Sequence, residues 1–268
     1  MIVGWRSLGP HSLGFLTPTP QVVTLHEFSS FDKLRRASMG AFAISAKQIV
    51  FTAEFERARF LNMFPRSEAK TAVIPIGSNV PFLSPRPERE TTVIHFGQIK
   101  PGRGLEDFLK VARIAAQNGS SWRFRIVGAP VTWAADFVAG IQAQTRGGNV
   151  EWSMNLDDAD AARALASATV AYLPYPDGVS ERRGSLIAAL GNGLPVVTTR
   201  GPFQTPDLEM VVSFAADPNK AFAAIAEIIG NPAKGEAMRS EGFDYVTKFG
   251  WPQIADAYRA IYDRLAHP

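Results

Sequence analysis

The chain has 268 residues, 46% of them hydrophobic, and its 28 Lys and Arg against 25 Asp and Glu leave a net charge of +3. That is enough chain to bury one large core or two smaller ones, and the mild positive balance suits a small anionic ligand or a membrane surface rather than nucleic acid, since no basic run is interleaved with aromatics. The lack of cysteine excludes disulfides and thiolate metal sites, and four scattered histidines argue against a histidine metal cluster.

Residues 1–20 are rich in Gly, Pro and Ser and show no clear period. Arg6, Pro10 and His11 interrupt any apolar core that a signal peptide would need, and no apolar run is long enough to span a bilayer, so a cytoplasmic protein is the expectation. Gln21–Leu25 reads as a buried strand that runs into His26-Glu27-Phe28. Phe31–Gln48 reads as one helix carrying Lys33, Arg35, Arg36 and Lys47; a basic helix can touch the inner face of a membrane, although a solvated face is its commoner meaning. A strand over Ile49–Thr52, a helix over Glu54–Asn62 and a strand over Ala72–Ile76 follow. Residues 81–90, with three prolines and mixed charge, read as a linker between a first part, 1–80, and a second, 91–248.

The second part alternates. Strands are expected at Thr92–Phe96, Phe124–Val127, Val150–Trp152, Val170–Leu173 and Val196–Thr199, and helices at Leu105–Asn118, Thr132–Gln144, Asp158–Ser167 and between Ser185 and Gly193. Ser185 reads as that helix's cap and Gly193 as its left-handed end. Further helices occupy 219–242, and an aromatic-rich helix with Trp251, Tyr258 and Tyr262 closes the chain over Phe249–Leu265. This order implies a parallel α/β sheet whose strand-to-helix loops gather on one edge.

Two loops on that edge carry cations. Gly97-Gln98-Ile99-Lys100-Pro101-Gly102-Arg103-Gly104 offers three glycines, which let a ligand approach the backbone, and two positive charges. Glu181-Arg182-Arg183-Gly184-Ser185 places two guanidinium groups beside a helix start. Each alone is a weak signal, and the second fits an exposed Arg pair on a solvated loop about as well. Together they suit a diphosphate. Asp157-Asp158-Asp160 opens a helix, where Asp is an ordinary cap, so no metal site is read there. His26 follows a strand of the first part and could donate a hydrogen bond to a sugar hydroxyl or phosphate; from local sequence alone, a loop histidine satisfied by backbone is the commoner meaning.

The order and spacing of these segments resemble the GT-B family of retaining, nucleotide-sugar-dependent glycosyltransferases (group 1, family 4). TLHEF at 24–28, AVIPIGSNVP at 72–81, VIHFGQIKPGRGLEDFLKVA at 93–112 and DGVSERRGSLIAALGNGLPVVTT at 177–199 carry the likeness, together with Phe249-Gly250-Trp251 at the head of the last helix. The resemblance implies two Rossmann-like domains, the last helix, 249–268, crossing back to the first. It implies transfer of a sugar from a UDP- or GDP-linked donor to a glycan or lipid-linked acceptor, with retention, no metal and no further cofactor. Gly97, Lys100, Arg103 and Gly104 would meet the donor diphosphate, and Glu181, Arg182, Arg183, Gly184 and Ser185 would close its other side. His26 would be the catalytic-side residue at the transferred sugar. Two departures stand out. Ser180 and Ala188 occupy the places where many relatives carry two glutamates, which leaves the donor sugar open. The first domain also looks incomplete, so the chain reads either as a transferase or as a catalytically silent nucleotide-sugar-binding module acting with a partner.

Overall fold

The computed structural model describes residues 2–3, 20–83 and 91–266. The Gly- and Pro-rich stretch 4–19 and linker residues 84–90 lie outside the described residues. By its contacts the chain divides into two units, one formed by Met1–Gly77 with Lys248–Pro268 and the other by Ser78–Thr247.

The first unit is built on a four-stranded parallel sheet, β1 (Ile2–Val3), β2 (Val22–Leu25), β3 (Gln48–Phe51) and β4 (Thr71–Val73), in that spatial order. Short helices α1 (Lys33–Ser38) and α2 (Gly40–Ser45) and helix α3 (Glu54–Leu61) cover one side. Their core is aromatic: Phe28, Phe31, Phe42, Phe51 and Phe60 are buried, with Phe28 and Phe60 edge to face at 5.3 Å. The single helix expected over Phe31–Gln48 is instead two. It breaks at Ser38-Met39-Gly40, where the Ser38 hydroxyl donates to the Arg35 carbonyl and Met39 N–H bonds Arg36 O at 3.1 Å. Gly40 weakens the helix locally but faces the Phe64 ring, which a Cβ would touch at 3.0 Å. The last helix, here α11 (Trp251–Ala266), packs Ile254 and Ile261 against Val50 and Ile74 of the same unit.

The second unit holds six parallel strands. They are β5 (Thr92–Phe96), β6 (Arg123–Gly128), β7 (Val150–Met154), β8 (Val170–Leu173), β9 (Val196–Thr198) and β10 (Val212–Phe214). The spatial order is β10-β9-β8-β5-β6-β7. The strands β5, β8 and β9 are almost wholly buried, as expected of a parallel sheet covered on both faces. Helices α4 (Leu105–Gln117), α5 (Ala135–Ala143), α6 (Asp158–Ser167), α7 (Gly184–Gly191) and α8 (Leu208–Val211) connect them, and α9 (Pro218–Gly230) and α10 (Pro232–Val246) follow the last strand. The helix expected over Thr132–Gln144 starts as a 3-10 turn, Thr132–Ala134, before α5. Asp157 caps α6 by accepting the Asp160 N–H at 2.7 Å, the role expected of that acidic run. Gly193, with φ 65°, ends α7: its N–H reaches Leu190 O and that of Leu194 reaches Ala189 O.

The strand order fixes where a ligand can sit. From β5 the chain winds one way through β6 and β7, then restarts at β8 and winds the other way. The reversal lies between β5 and β8, and at such a reversal the loops leaving the two strands part and open a crevice. Those loops are 97–104 and 174–183.

Candidate functional site

The loop after β5 is held from three sides. Gly97 N–H bonds Val127 O at 3.1 Å and Ile99 N–H bonds Ala129 O at 2.9 Å, so the loop is laced to the loop after β6. Gly128 lies so close that a Cβ there would stand 1.7 Å from Gly97 O. At the far end, Gly104 adopts φ 74° immediately before α4, and its missing Cβ would fall 1.7 Å from Pro174 O in the loop after β8. Glycine is required there both by the backbone angle and by the contact. Between these anchors Lys100 and Arg103 are half-buried, and Arg103 donates to Gln98 Oε1 at 3.4 Å.

His95, one residue before the end of β5, ties the loop from below. Its ring is 3% exposed, packs edge-on against Phe108 at 5.6 Å, and its Nε2 stands 3.1 Å from Arg103 O. A carbonyl can only accept, so the proton is on Nε2. Burial lowers the imidazole pKa to about 4; the hydrogen bond to Arg103 opposes this, and the Arg103 charge adds to it. The ring is therefore neutral near pH 7, and it fixes the main chain of the arginine beside the crevice.

The loop after β8 is organised by Tyr175. Its hydroxyl shares a 2.8 Å hydrogen bond with Ser185 Oγ, and the Arg183 guanidinium lies 4.6 Å above its ring. Arg183 also pairs with Asp177 and donates to Gly178 O at 3.3 Å. Burial pushes the phenol up to about 12, while the hydrogen bond from Ser185 and the charges of Arg183 and Arg103 pull the other way. Both arginines thus lie close enough to one hydroxyl to be felt there. Gly97 faces Ser185 across the crevice, 3.8 Å from where its Cβ would be. The two cation-bearing loops therefore meet.

Ser185 does not cap α7. The residue at the cap position is Arg183, which makes no side-chain capping bond, and the Ser185 hydroxyl is committed to Tyr175. Gly184 opens the helix with empty space on its Cβ side. Arg182 and Glu181 are half-buried on the same loop, and Glu181 adds to the burial that pushes the Tyr245 phenol up. Tyr175 and His95 are the two residues that sequence reasoning passed over. A lone imidazole inside the apolar run TVIHF, in register with the inward Val93, was the available signal for His95.

His26 belongs to the first unit. It lines a cavity of about 380 Å³ there with Thr24, Thr52, Trp251, Tyr258 and Tyr262. Thr24 and Tyr258 share a 2.9 Å hydrogen bond in its wall, and Tyr258 and Tyr262 stack at 6.3 Å. Among the described residues no group of three or more acidic or histidine side chains is placed to hold a metal ion, and no helix is long and apolar enough to cross a membrane.

Comparison with solved structures finds this architecture in glycosyltransferases. A glycosyltransferase from Rickettsia africae superposes with a TM-score of 0.75 at 13% identity, over 99% of this chain and 77% of the other. HepE from Anabaena, solved with UDP and glucose, gives 0.73 at 16% identity, over 96% and 74%. The pneumococcal O-GlcNAc transferase GtfA, solved with UDP and GlcNAc, gives 0.68 at 12% identity, over 92% of this chain and 53% of that one. No curated protein matches. The fold is thus the GT-B type. The model of the family described as glycosyl transferases group 1 matches residues 90–231, the stretch that contains both cation-bearing loops and the strand reversal between them, and this chain belongs to that family.

Proposed function

We propose that the chain moves a sugar from a nucleotide-diphosphate-sugar donor, UDP- or GDP-linked, to a glycan or lipid-linked acceptor, with retention. The observation that carries this reading is the meeting of the two loops at Gly97 and Ser185, with Arg103 and Arg183 both bearing on Tyr175. A departing diphosphate develops negative charge, and fixed cations that are already in place stabilise it in the role a metal ion would otherwise fill. Lys100 and Arg103 supply that charge from one loop and Arg182 from the other. Arg183, held by Asp177 and the Tyr175 ring, sets the shape of its loop as much as its charge. The UDP seen in HepE and GtfA supports a nucleotide donor. His26 is proposed to orient the transferred sugar, and Lys33 and Arg36 of α1 with Lys47 beyond α2 to touch an anionic membrane surface.

Calorimetry with UDP and GDP tests the donor site. Arg103→Ala should weaken the preferred nucleotide roughly 10- to 100-fold, the value of one charged hydrogen bond. Equal binding by wild type and variant, or no binding by either, would overturn the reading. Donor hydrolysis with and without candidate acceptors then separates a transferase from a silent binding module.

Gly184→Ala provides an orthogonal check. Space is open at that position and the residue is helical, so the added methyl should leave stability unchanged or raise it by about 0.4–1 kcal/mol. The same methyl stands where a phosphate would approach the N–H groups of α7, so nucleotide affinity should drop while the melting temperature does not. A variant with unchanged affinity would remove the helix start from the site.

A further inference from the structure

Among the described residues Glu56 is the only acidic side chain that is fully buried. It stands in the first turn of α3, beside a core of phenylalanines. An apolar residue would fill such a place at no loss of hydration, whereas a carboxylate keeps it only where donors replace the water. Both donors come from one residue. Ser29 N–H reaches Glu56 Oε2 at 2.6 Å, and the Ser29 hydroxyl donates to Glu56 Oε1 at 2.7 Å. The Ser29 carbonyl accepts from Arg36 Nη2 at 2.7 Å, so all three polar groups of this serine are engaged.

Ser29 lies three residues after His26, on the 3-10 turn Phe28–Ser30. The turn is gripped a second time by Phe28, buried edge-on against Phe60 of α3 at 5.3 Å. The stretch is tied at its other end too. Leu25 pairs with Phe51 in the sheet, and the His26 carbonyl accepts the Thr52 hydroxyl at 3.3 Å. Thr52 lines the same cavity as His26. The main chain on both sides of the histidine is therefore fixed, before it by β2 and β3 and after it by the carboxylate of α3. We infer that Glu56 is a positioning residue: through Ser29 it holds the main chain that carries His26, and so sets where that imidazole stands in the cavity wall. The inference rests on the role proposed above for His26 and adds the group that holds it in place. Glu56, being fully buried, acts only through the loop.

The test follows the His26 ring by NMR of its Cε1–H group, the signal assigned by its loss in His26→Ala, in wild type, Glu56→Ala, Glu56→Gln and Ser29→Ala. The His26 signal should move in Glu56→Ala. It should move less in Ser29→Ala, which loses the hydroxyl and keeps the N–H. Glu56→Gln should stay near wild type, since the amide oxygen accepts the Ser29 N–H and the amide nitrogen can donate to Ser29 Oγ. Nucleotide release from UDP-glucose and GDP-mannose gives the second readout. On whichever donor is turned over, kcat should fall on the order of 10- to 100-fold in Glu56→Ala, the cost of a misplaced group, while UDP or GDP affinity holds and Glu56→Gln recovers most of the rate. An unmoved His26 signal in Glu56→Ala, or in Ser29→Ala where Glu56→Ala does not fold, overturns the inference. So does a moved signal with unchanged kcat when His26→Ala abolishes turnover. Turnover that survives His26→Ala would instead sink the role given to His26, and the NMR signal alone then decides whether Glu56 holds the loop.

Discussion

Gly104→Ala should be among the most damaging single methyl additions in this chain, lowering the stability of the second unit by about 3–5 kcal/mol. Two independent terms add. The residue sits at φ 74°, where any L side chain is strained. The new Cβ would also lie 1.7 Å from Pro174 O and 2.7 Å from Pro174 C, both backbone atoms that cannot rotate away. To relieve the clash the loops after β5 and β8 must separate, and these are the loops that carry Arg103 and Tyr175. Gly102→Ala is the matched control. It has nearly the same angle, φ 73°, with nothing within 4 Å, so it should show only the conformational cost, about 1 kcal/mol. Urea unfolding of the three proteins separates the terms. A domain stable by about 5–15 kcal/mol would lose a large share of its margin in the first variant and little in the second. If the two variants unfold at the same urea concentration, the close approach of Gly104 to Pro174 is not what holds the loops together.

Much of this arrangement was legible in the residues, and the parts that were not share a physical cause. The strands Thr92–Phe96 and Val170–Leu173 and the helix Asp158–Ser167 could be read to the residue, because an apolar run bounded by Gly or Pro, or an Asp cap before a helical stripe, is a local signal. The convergence of the cationic loops on one edge followed from the alternation of strands and helices, since parallel strands need crossovers of one hand. Side-chain pairings were different. Ser185 looked like a cap because its partner, Tyr175, lies ten residues away across a Pro-rich loop whose path no pattern reveals. Arg183 looked free for a ligand because its ion pair with Asp177 depends on the same path. His95 was hidden inside a strand and bonds a carbonyl eight residues on. The break at Ser38-Met39-Gly40 was masked by a good helical period on either side. Period and composition report which face is buried; they do not report which hydroxyl or carbonyl a loop brings into reach.

The acid stability of the second unit should depend on one imidazole. Burial pushes the His95 imidazole down to about 4 in the folded chain, from its ordinary value of 6.5. Between those two values the unfolded chain holds a proton that the folded chain does not. Stability then rises with pH across that window and falls as the solution is acidified through it, by roughly 3 kcal/mol when the full span is crossed. Below about pH 4 both states carry the proton and this contribution no longer changes. His95→Gln isolates the effect. An amide can donate to Arg103 O as Nε2–H does, but it does not titrate. Urea unfolding at several pH values should give a steeper acid loss for wild type than for the variant, with the difference confined to the window between the two pKa values; carboxylates contribute equally to both proteins and cancel. The loop should respond lower, as the pH falls through the folded value of about 4. Protonation of a buried ring with Arg103 beside it adds a second positive charge under the crevice, and the favourable response is for the loop to move off the ring. Nucleotide affinity in wild type should therefore decline as the solution is acidified through about pH 4, below the range in which stability falls, and in His95→Gln it should decline less. Parallel acid profiles for the two proteins would mean that the ring is reached by solvent or that its proton is shared with another group.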